Sequence, residues 1–259
     1  MTTKETSWGG VAEWYDDHLE NSKDSYQSQV ILPNLTRIIS PRAGMLVADI
    51  ACGQGFFSRV WNAAGATVIG CDISEELIGI ARNKSDAGIE FFATPSDNLS
   101  QITSKSADVA TIVLAIQNIE NLQGTFSETS RILKQGGRLI LVLNHPAFRI
   151  PQRSSWQWDE SGKKPVEYRR LDAYMSDSRE KIDMTPGIKS AAKKEFTVSF
   201  HRPLQTYFKS LAKAGFSVTK LEEWISHKKS QPGPRQEEED RMRKEIPLFL
   251  CIEATLGAN

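Results

Sequence analysis

Val47-Ala48-Asp49-Ile50-Ala51-Cys52-Gly53-Gln54-Gly55 joins an apolar run to a glycine turn. The run from Met45 to Ile50 has the composition of a strand buried on both faces, and Phe57, Val60, Trp61 and Ala64 recur beyond the turn at helical spacing. The expectation is a strand over 45–51 and a helix over 55–64 that Gly65 ends. Glycine lets backbone approach a ligand closely and tolerates positive φ, while the helix that follows points its unpaired N–H groups at whatever lies above the turn. The segment therefore reads as a ligand-binding strand-turn-helix.

A second strand, Thr67 to Cys71, delivers Asp72 to its carboxyl end. In dinucleotide folds an acid at about this distance from the turn holds ribose hydroxyls, so a nucleoside ligand is expected. Two readings compete, a nicotinamide cofactor and S-adenosylmethionine. The dinucleotide fingerprint wants a third glycine, and Ser58 stands where that glycine would pack helix on strand. Asp49, at the end of the strand, would repel a pyrophosphate but suits a ligand that carries an ammonium and a sulfonium. The sign of the charge favours S-adenosylmethionine.

On these residues the chain resembles the class I S-adenosylmethionine-dependent methyltransferases, over roughly residues 26 to 145. Asp49-x-x-x-Gly53-x-Gly55 is similar to the family's first motif and Gly70-Cys71-Asp72-Ile73-Ser74 to its second. Phe92 to Leu99 looks like the adenine-contacting turn after the third strand, Asp108 to Ala115 like the fourth strand, and Leu133 to Leu141 like the turn into the fifth. The resemblance implies that Asp49, Gly53 and Gly55 receive the methionine end, Asp72 the ribose hydroxyls and Ile73 one adenine face. It places Ser96, Asp97 and Asn98 at the adenine edge and Leu114 under the donor. The family usually carries an acid where Thr94 stands, which leaves Ser96 or Asp97 for the adenine amino group. Members that methylate amino groups of DNA bases or glutamine carry an Asn- or Asp-Pro-Pro-aromatic tetrad after the fourth strand. Here Ala115-Ile116-Gln117-Asn118 occupies that place, which argues against that subclass.

Composition bounds the rest. The 259 residues, 39% hydrophobic and 25% charged, suffice for one sizeable core with an elaboration. No apolar run reaches the ~18 residues a membrane span needs, and Met1 to Ser7 lack a hydrophobic signal region, so a cytosolic protein is expected. Cys52, Cys71 and Cys251 lie in scattered apolar contexts that fit reduced core thiols. Thirty-two basic against thirty-two acidic side chains leave no net charge, which weakens the case for a nucleic-acid substrate. Four dispersed histidines do not make a metal site.

Along the chain, residues 1–44 read as an N-terminal helical cap in which Pro33 should kink or split a helix. Residues 45–144 read as the donor-binding core: strands at 45–51, 67–72, 89–93, 107–114 and 137–144, with helices at 55–64, 74–84 and 122–133. Such alternation predicts an α/β, Rossmann-like doubly wound sheet with helices on both faces. Ser74 is the expected N-cap of its helix, and any helix between the third and fourth strands should be short. Residues 145–200 carry charge and aromatics without sustained period and are expected to form an irregular lid or substrate-binding insertion at the carboxyl end of strand five, the alternative being a mobile surface excursion. Residues 201–259 should complete the core. A helix begins at Pro203 and stops at Gly215, strands at 216–225 and 247–256 form an antiparallel pair, and a charged tract between them reads as solvated helix or loop.

Methyl transfer asks little of a protein beyond alignment. The sulfonium already activates the methyl group, so holding donor, methyl carbon and acceptor in line is most of the task. A base is needed only where the acceptor must lose a proton. His145 is the best candidate for one, and the competing reading is that Asn144-His145-Pro146 breaks the strand and anchors the lid. His201 belongs either to the lid or to the start of the helix after Pro203. Tyr15 and Tyr26 are candidates for closing the methionine end from the cap, or else they pack the cap on the sheet. Arg149, Arg153, Arg169 and Arg170 could receive a substrate carboxylate or phosphate, against the reading of a self-paired surface with Asp159, Glu160, Glu167 and Asp172. The expected activity is methyl transfer from S-adenosylmethionine to a small-molecule acceptor, with a nicotinamide-dependent oxidoreductase and a non-catalytic donor-binding module as alternatives. Neither the acceptor atom nor the oligomeric state is written in the sequence.

Overall fold

A computed structural model describes residues 24–184 and 196–257. Its centre is a seven-stranded sheet built from β1 (Leu46–Ile50), β2 (Thr67–Asp72), β3 (Ile89–Ala93), β4 (Ala107–Val113), β5 (Leu133–Asn144), β10 (Phe216–Trp224) and β11 (Phe249–Leu256). The order across the sheet is β10-β11-β5-β4-β1-β2-β3. β1 pairs in parallel with β2 and β4, and β11 runs antiparallel between β5 and β10. The doubly wound sheet expected from the alternation is observed, and so is the antiparallel end that the resemblance implies.

Strand alternation sorts the core into two layers. Val47, Val68, Val109, Ile140 and Val142 meet α1 (Leu32–Ile39) and α2 (Phe56–Ala63), with Trp61 fully buried among them. Ala48, Ile50, Ile112, Leu139 and Leu141 face the other way, against α4 (Leu122–Ile132) and α5 (Leu204–Lys213), where Phe126 and Leu211 are enclosed. α3 (Glu75–Lys84) covers Phe91 with Ile78 and Ala81. Ser74 caps it by accepting from Leu77 N. Pro33 does not break α1. It lies in the first turn, after a short π-turn at Gln27–Ile31, where a missing N–H does no harm.

Two expectations are corrected. β5 begins at Leu133 rather than 137, because Ala107 pairs with Leu133 and the ladder resumes at Val109 with Arg138, the intervening bulge turning on Gly136 at φ 73°. The insertion is not irregular. It folds as two antiparallel ribbons, β6 (Ser154–Asp159) with β7 (Val166–Leu171) and β8 (Ser178–Asp183) with β9 (Phe196–His201). Trp156 and Trp158 share one face of β6, where Arg169 lies 5.0 Å over Trp156 and Arg235 4.7 Å over Trp158. The face is built on cations stacked over rings rather than on aliphatics, so an apolar period does not reveal it. The charged tract forms α6 (Gln236–Glu245), which docks on this ribbon through Glu238 accepting from Glu167 N at 3.0 Å. Among the described residues no helix is long and apolar enough to cross a membrane.

Candidate active site

A cavity opens at the carboxyl ends of β1, β2 and β4. It is lined by Asp49, Ala51 to Gln54, Phe56, Phe57, Asp72, Ile73, Leu77, Val113 to Ala115, Asn118 and Ile119. Ala51 at φ 56° and Leu114 at φ 54° leave their strands in the left-handed region that non-glycine residues rarely adopt. Backbone strain of this kind collects where a chain shapes a ligand site.

Both acids are buried and oriented. Asp49 accepts from Ser58 Oγ at 2.5 Å and Thr111 Oγ1 at 3.1 Å, and burial pushes its carboxyl up to about 7. Ser58, where a dinucleotide site would have glycine, is thus the donor that fixes the first acid. Asp72 accepts from Gly53 N at 2.9 Å through one oxygen and Ser74 N at 2.9 Å through the other, and burial raises its carboxyl as well. Gln54 is buried with an unpartnered Nε2 beside them. Among the described residues no lysine, arginine or histidine lines this cavity.

The structure brings Asp49, Gly53, Asp72, Ile73 and Leu114 together around the cavity. Gly55 stands behind the lining at φ 79°, where an added Cβ would meet Phe91 at 3.0 Å and Ala81 at 3.2 Å. Ser96 and Asp97 do not line the cavity: Ser96 Oγ lies 2.8 Å from Thr125 Oγ1, and Asp97 accepts from Asn121 Nδ2 at 2.7 Å. Asn98 is exposed, and its carbonyl accepts from Thr94 Oγ1 at 2.7 Å. Tyr26 also lies off the lining, edge-on to His227 and Phe249, with its hydroxyl 3.2 Å from Ser226 Oγ. Tyr15 lies outside the described residues. Cys52 lines the cavity, whereas Cys71 and Cys251 are core thiols.

His145 is buried and both ring nitrogens are engaged. Ala147 N donates to Nδ1 at 3.2 Å, which leaves Nε2 to donate to Glu223 at 2.8 Å. Its carbonyl accepts from Arg149 N at 2.8 Å. Burial lowers the imidazole pKa, against the raising effect of Glu223. His145 therefore ties the start of the insertion to β10 and does not line the cavity. His201 acts similarly, with Nε2 2.8 Å from the Tyr174 carbonyl oxygen.

A second cavity, of about 430 Å³, adjoins the first and shares Leu114 and Asn118 with it. Ser154, Arg169, Ile182, Thr197 and Ser199 of the insertion form much of its wall. Asn118 Nδ2 donates to the Val198 carbonyl at 2.8 Å, so the junction is bonded to the insertion. The sequence reading did not assign Leu77, Asn118 or Ile119 to the site. Their only sequence signal is position, just past the carboxyl ends of strands two and four.

Residues 48–141 match the family model described as "Methyltransferase domain". Over that stretch, from β1 into β5, the chain is similar to methyltransferase domains. A solved S-adenosylmethionine-dependent methyltransferase from Mesorhizobium loti superposes on this domain and its surroundings with TM-score 0.67 at 25% identity, covering 86% of this chain and 96% of that one. A demethylmenaquinone methyltransferase of Tropheryma whipplei is 34% identical over 113 residues, 42% of this chain and 46% of its own length. A malonyl-[acyl-carrier protein] O-methyltransferase of Pectobacterium atrosepticum is 29% identical over 151 residues, 58% of this chain and 56% of its own. The chain thus spans about half the length of the curated relatives it matches.

Proposed function

We propose that this chain transfers the methyl group of S-adenosylmethionine to a small-molecule acceptor. The observation that carries the reading is the sign of the first cavity, two buried acids and no cationic side chain in its lining. A diphosphate-bridged cofactor would face uncompensated repulsion there, whereas a ligand with an ammonium and a sulfonium meets opposite charge.

The residues present fit that ligand. Asp49, held by Ser58 and Thr111, and the amides around Gly53 receive the methionine end, and the orphaned Gln54 Nε2 supplies a donor beside them. Asp72 is pinned by two backbone amides and keeps lone pairs for a pair of ribose hydroxyls. Ile73, Leu77 and Ile119 offer the apolar slot for the base. When bound, the donor supplies a methyl carbon on positive sulfur: the acceptor's lone pair forms the new bond while the carbon–sulfur pair returns to sulfur. Leu114 and Asn118 form the passage between the cavities, so they hold the two partners in line and restrict water. The insertion acts as a lid over the second cavity. His145 is a positioning residue in this scheme, since neither nitrogen is free to take a proton, and Tyr26 packs on Phe249 and His227 off the donor cavity.

Labelled S-adenosylmethionine incubated with the protein and a fractionated metabolite extract tests the reading. Label should appear in one class of small molecule. Absence of transfer to every fraction, with tight donor binding, would favour a binding module instead.

A further inference from the structure

The four arginines of the insertion separate into two kinds. Arg170 pairs with Asp172 at 2.6 Å and Arg153 with Glu180 at 3.8 Å, as a self-paired surface would. Arg149 and Arg169 instead line the second cavity, whose described lining contains no carboxylate. The remaining polar wall is neutral, including Gln117, Asn144, Ser154 and Ser199, and Gln117 keeps an unpartnered Oε1.

One guanidinium is fixed and the other is free. Arg169 donates through Nε to the Phe148 carbonyl at 2.9 Å and through Nη2 to Ser154 Oγ at 2.8 Å, with its plane over Trp156. The Arg149 side chain makes no hydrogen bond or ion pair among the described residues, and it lines the cavity. The electrostatic neighbours of the pair are Tyr26 beside Arg149 and Glu167 beside Arg169, and Glu167 sits among Glu238, Glu239 and Arg243 on the α6 side. Enclosure lowers the pKa of both arginines, and Arg149 adds repulsion at Arg169. Two like charges facing one cavity whose described lining holds no carboxylate are unfavourable, and an oxyanion that presents two oxygens matches their forked donors.

We infer that the acceptor carries an oxyanion, a carboxylate or a phosphate monoester, which seats on Arg149 and Arg169 while its nucleophilic atom lies at the Leu114 and Asn118 passage. The direction of the acceptor rests on the methyl-transfer reading, but the anion site does not.

Calorimetric titration of the full chain with benzoate, phenyl phosphate and neutral benzamide tests this, with and without saturating S-adenosylhomocysteine. Either anion should bind at least tenfold more tightly than benzamide, and the preferred anion tells carboxylate from phosphate. Arg149→Met, which gives up no described hydrogen bond, should weaken the anion at least tenfold and leave S-adenosylhomocysteine affinity and thermal melting unchanged. Arg149→Lys, a cation without the fork, should fall between. Equal binding of benzoate, phenyl phosphate and benzamide, no anion binding to the wild type, or anion affinity unchanged in Arg149→Met would overturn the site. Failure of S-adenosylhomocysteine alone, with the anions behaving as expected, would remove the donor reading and leave the anion site standing.

Discussion

Asp49 couples folding, charge and donor binding in one side chain. Its carboxyl titrates near 7 because burial disfavours the charged form, while Ser58 and Thr111 work the other way. A carboxyl raised on folding contributes stability that is present in acid and lost as pH rises through about 7. Asp49→Asn should therefore melt higher than the wild type at pH 8, the gap closing towards pH 5, as scanning calorimetry would show. The ligand's ammonium needs the ionised form, so wild-type affinity for S-adenosylhomocysteine, which keeps that ammonium, should rise with pH up to about 7 and then level, while Asp49→Asn binds weakly with no such slope. A flat wild-type profile would separate Asp49 from the ligand. At this scale much was legible: Asp49, Gly53, Asp72, Ile73 and Leu114 follow strand ends whose spacing in sequence fixes their place in space. Asn118 and Ile119 were not, because a short 3₁₀ turn at Ile116–Asn118 aims them, and no period announces such a turn.

The glycine turn and β2 are joined by Phe91, which packs against both Gly55 and Gly70. A Cβ on Gly70 would meet the Phe91 ring at 2.6 Å, far inside contact distance. Gly70→Ala should destabilise the protein by about 1–3 kcal/mol, the usual range for overpacking, and Phe91→Leu in the same chain should recover part of the loss. Denaturant melts of the two single variants and the double variant measure the coupling. Additive effects would mean that the ring is not what excludes the side chain. Sequence reading assigned Gly55 to the ligand because a glycine turn after a strand has that use. Its packing role depends on a phenylalanine 36 positions away, which local pattern cannot show. The insertion escaped for a related reason, since its ribbons pair tryptophan with arginine where period-based reading looks for aliphatic alternation.

Across the molecule, the sheet sets the carboxyl ends of β1, β2 and β4 side by side, and the insertion adds a second cavity against them. The layered, mostly parallel sheet was readable because alternating strands and helices leave few ways to build one, and the antiparallel β11 distinguishes this sheet from a dinucleotide fold. The assembly of the second cavity was not readable, since it depends on how two ribbons dock. His145 joins these parts by bonding β10 to the first turn of the insertion. His145→Gln should loosen the insertion in hydrogen exchange and raise KM for the acceptor, with the pH profile of kcat unchanged. Loss of an acid-side limb from that profile would instead make it the base.

Calorimetric titration of S-adenosylmethionine and of NAD into the wild type and into Asp72→Ala tests the donor assignment most directly, with Asp72→Asn as the variant that keeps a hydrogen-bonding side chain over Gly53 and Ser74. Only S-adenosylmethionine should bind the wild type, and Asp72→Ala should weaken it more than tenfold, which is more than 1.4 kcal/mol. Binding of NAD in its place, or an affinity for S-adenosylmethionine that Asp72→Ala leaves untouched, would contradict the assignment.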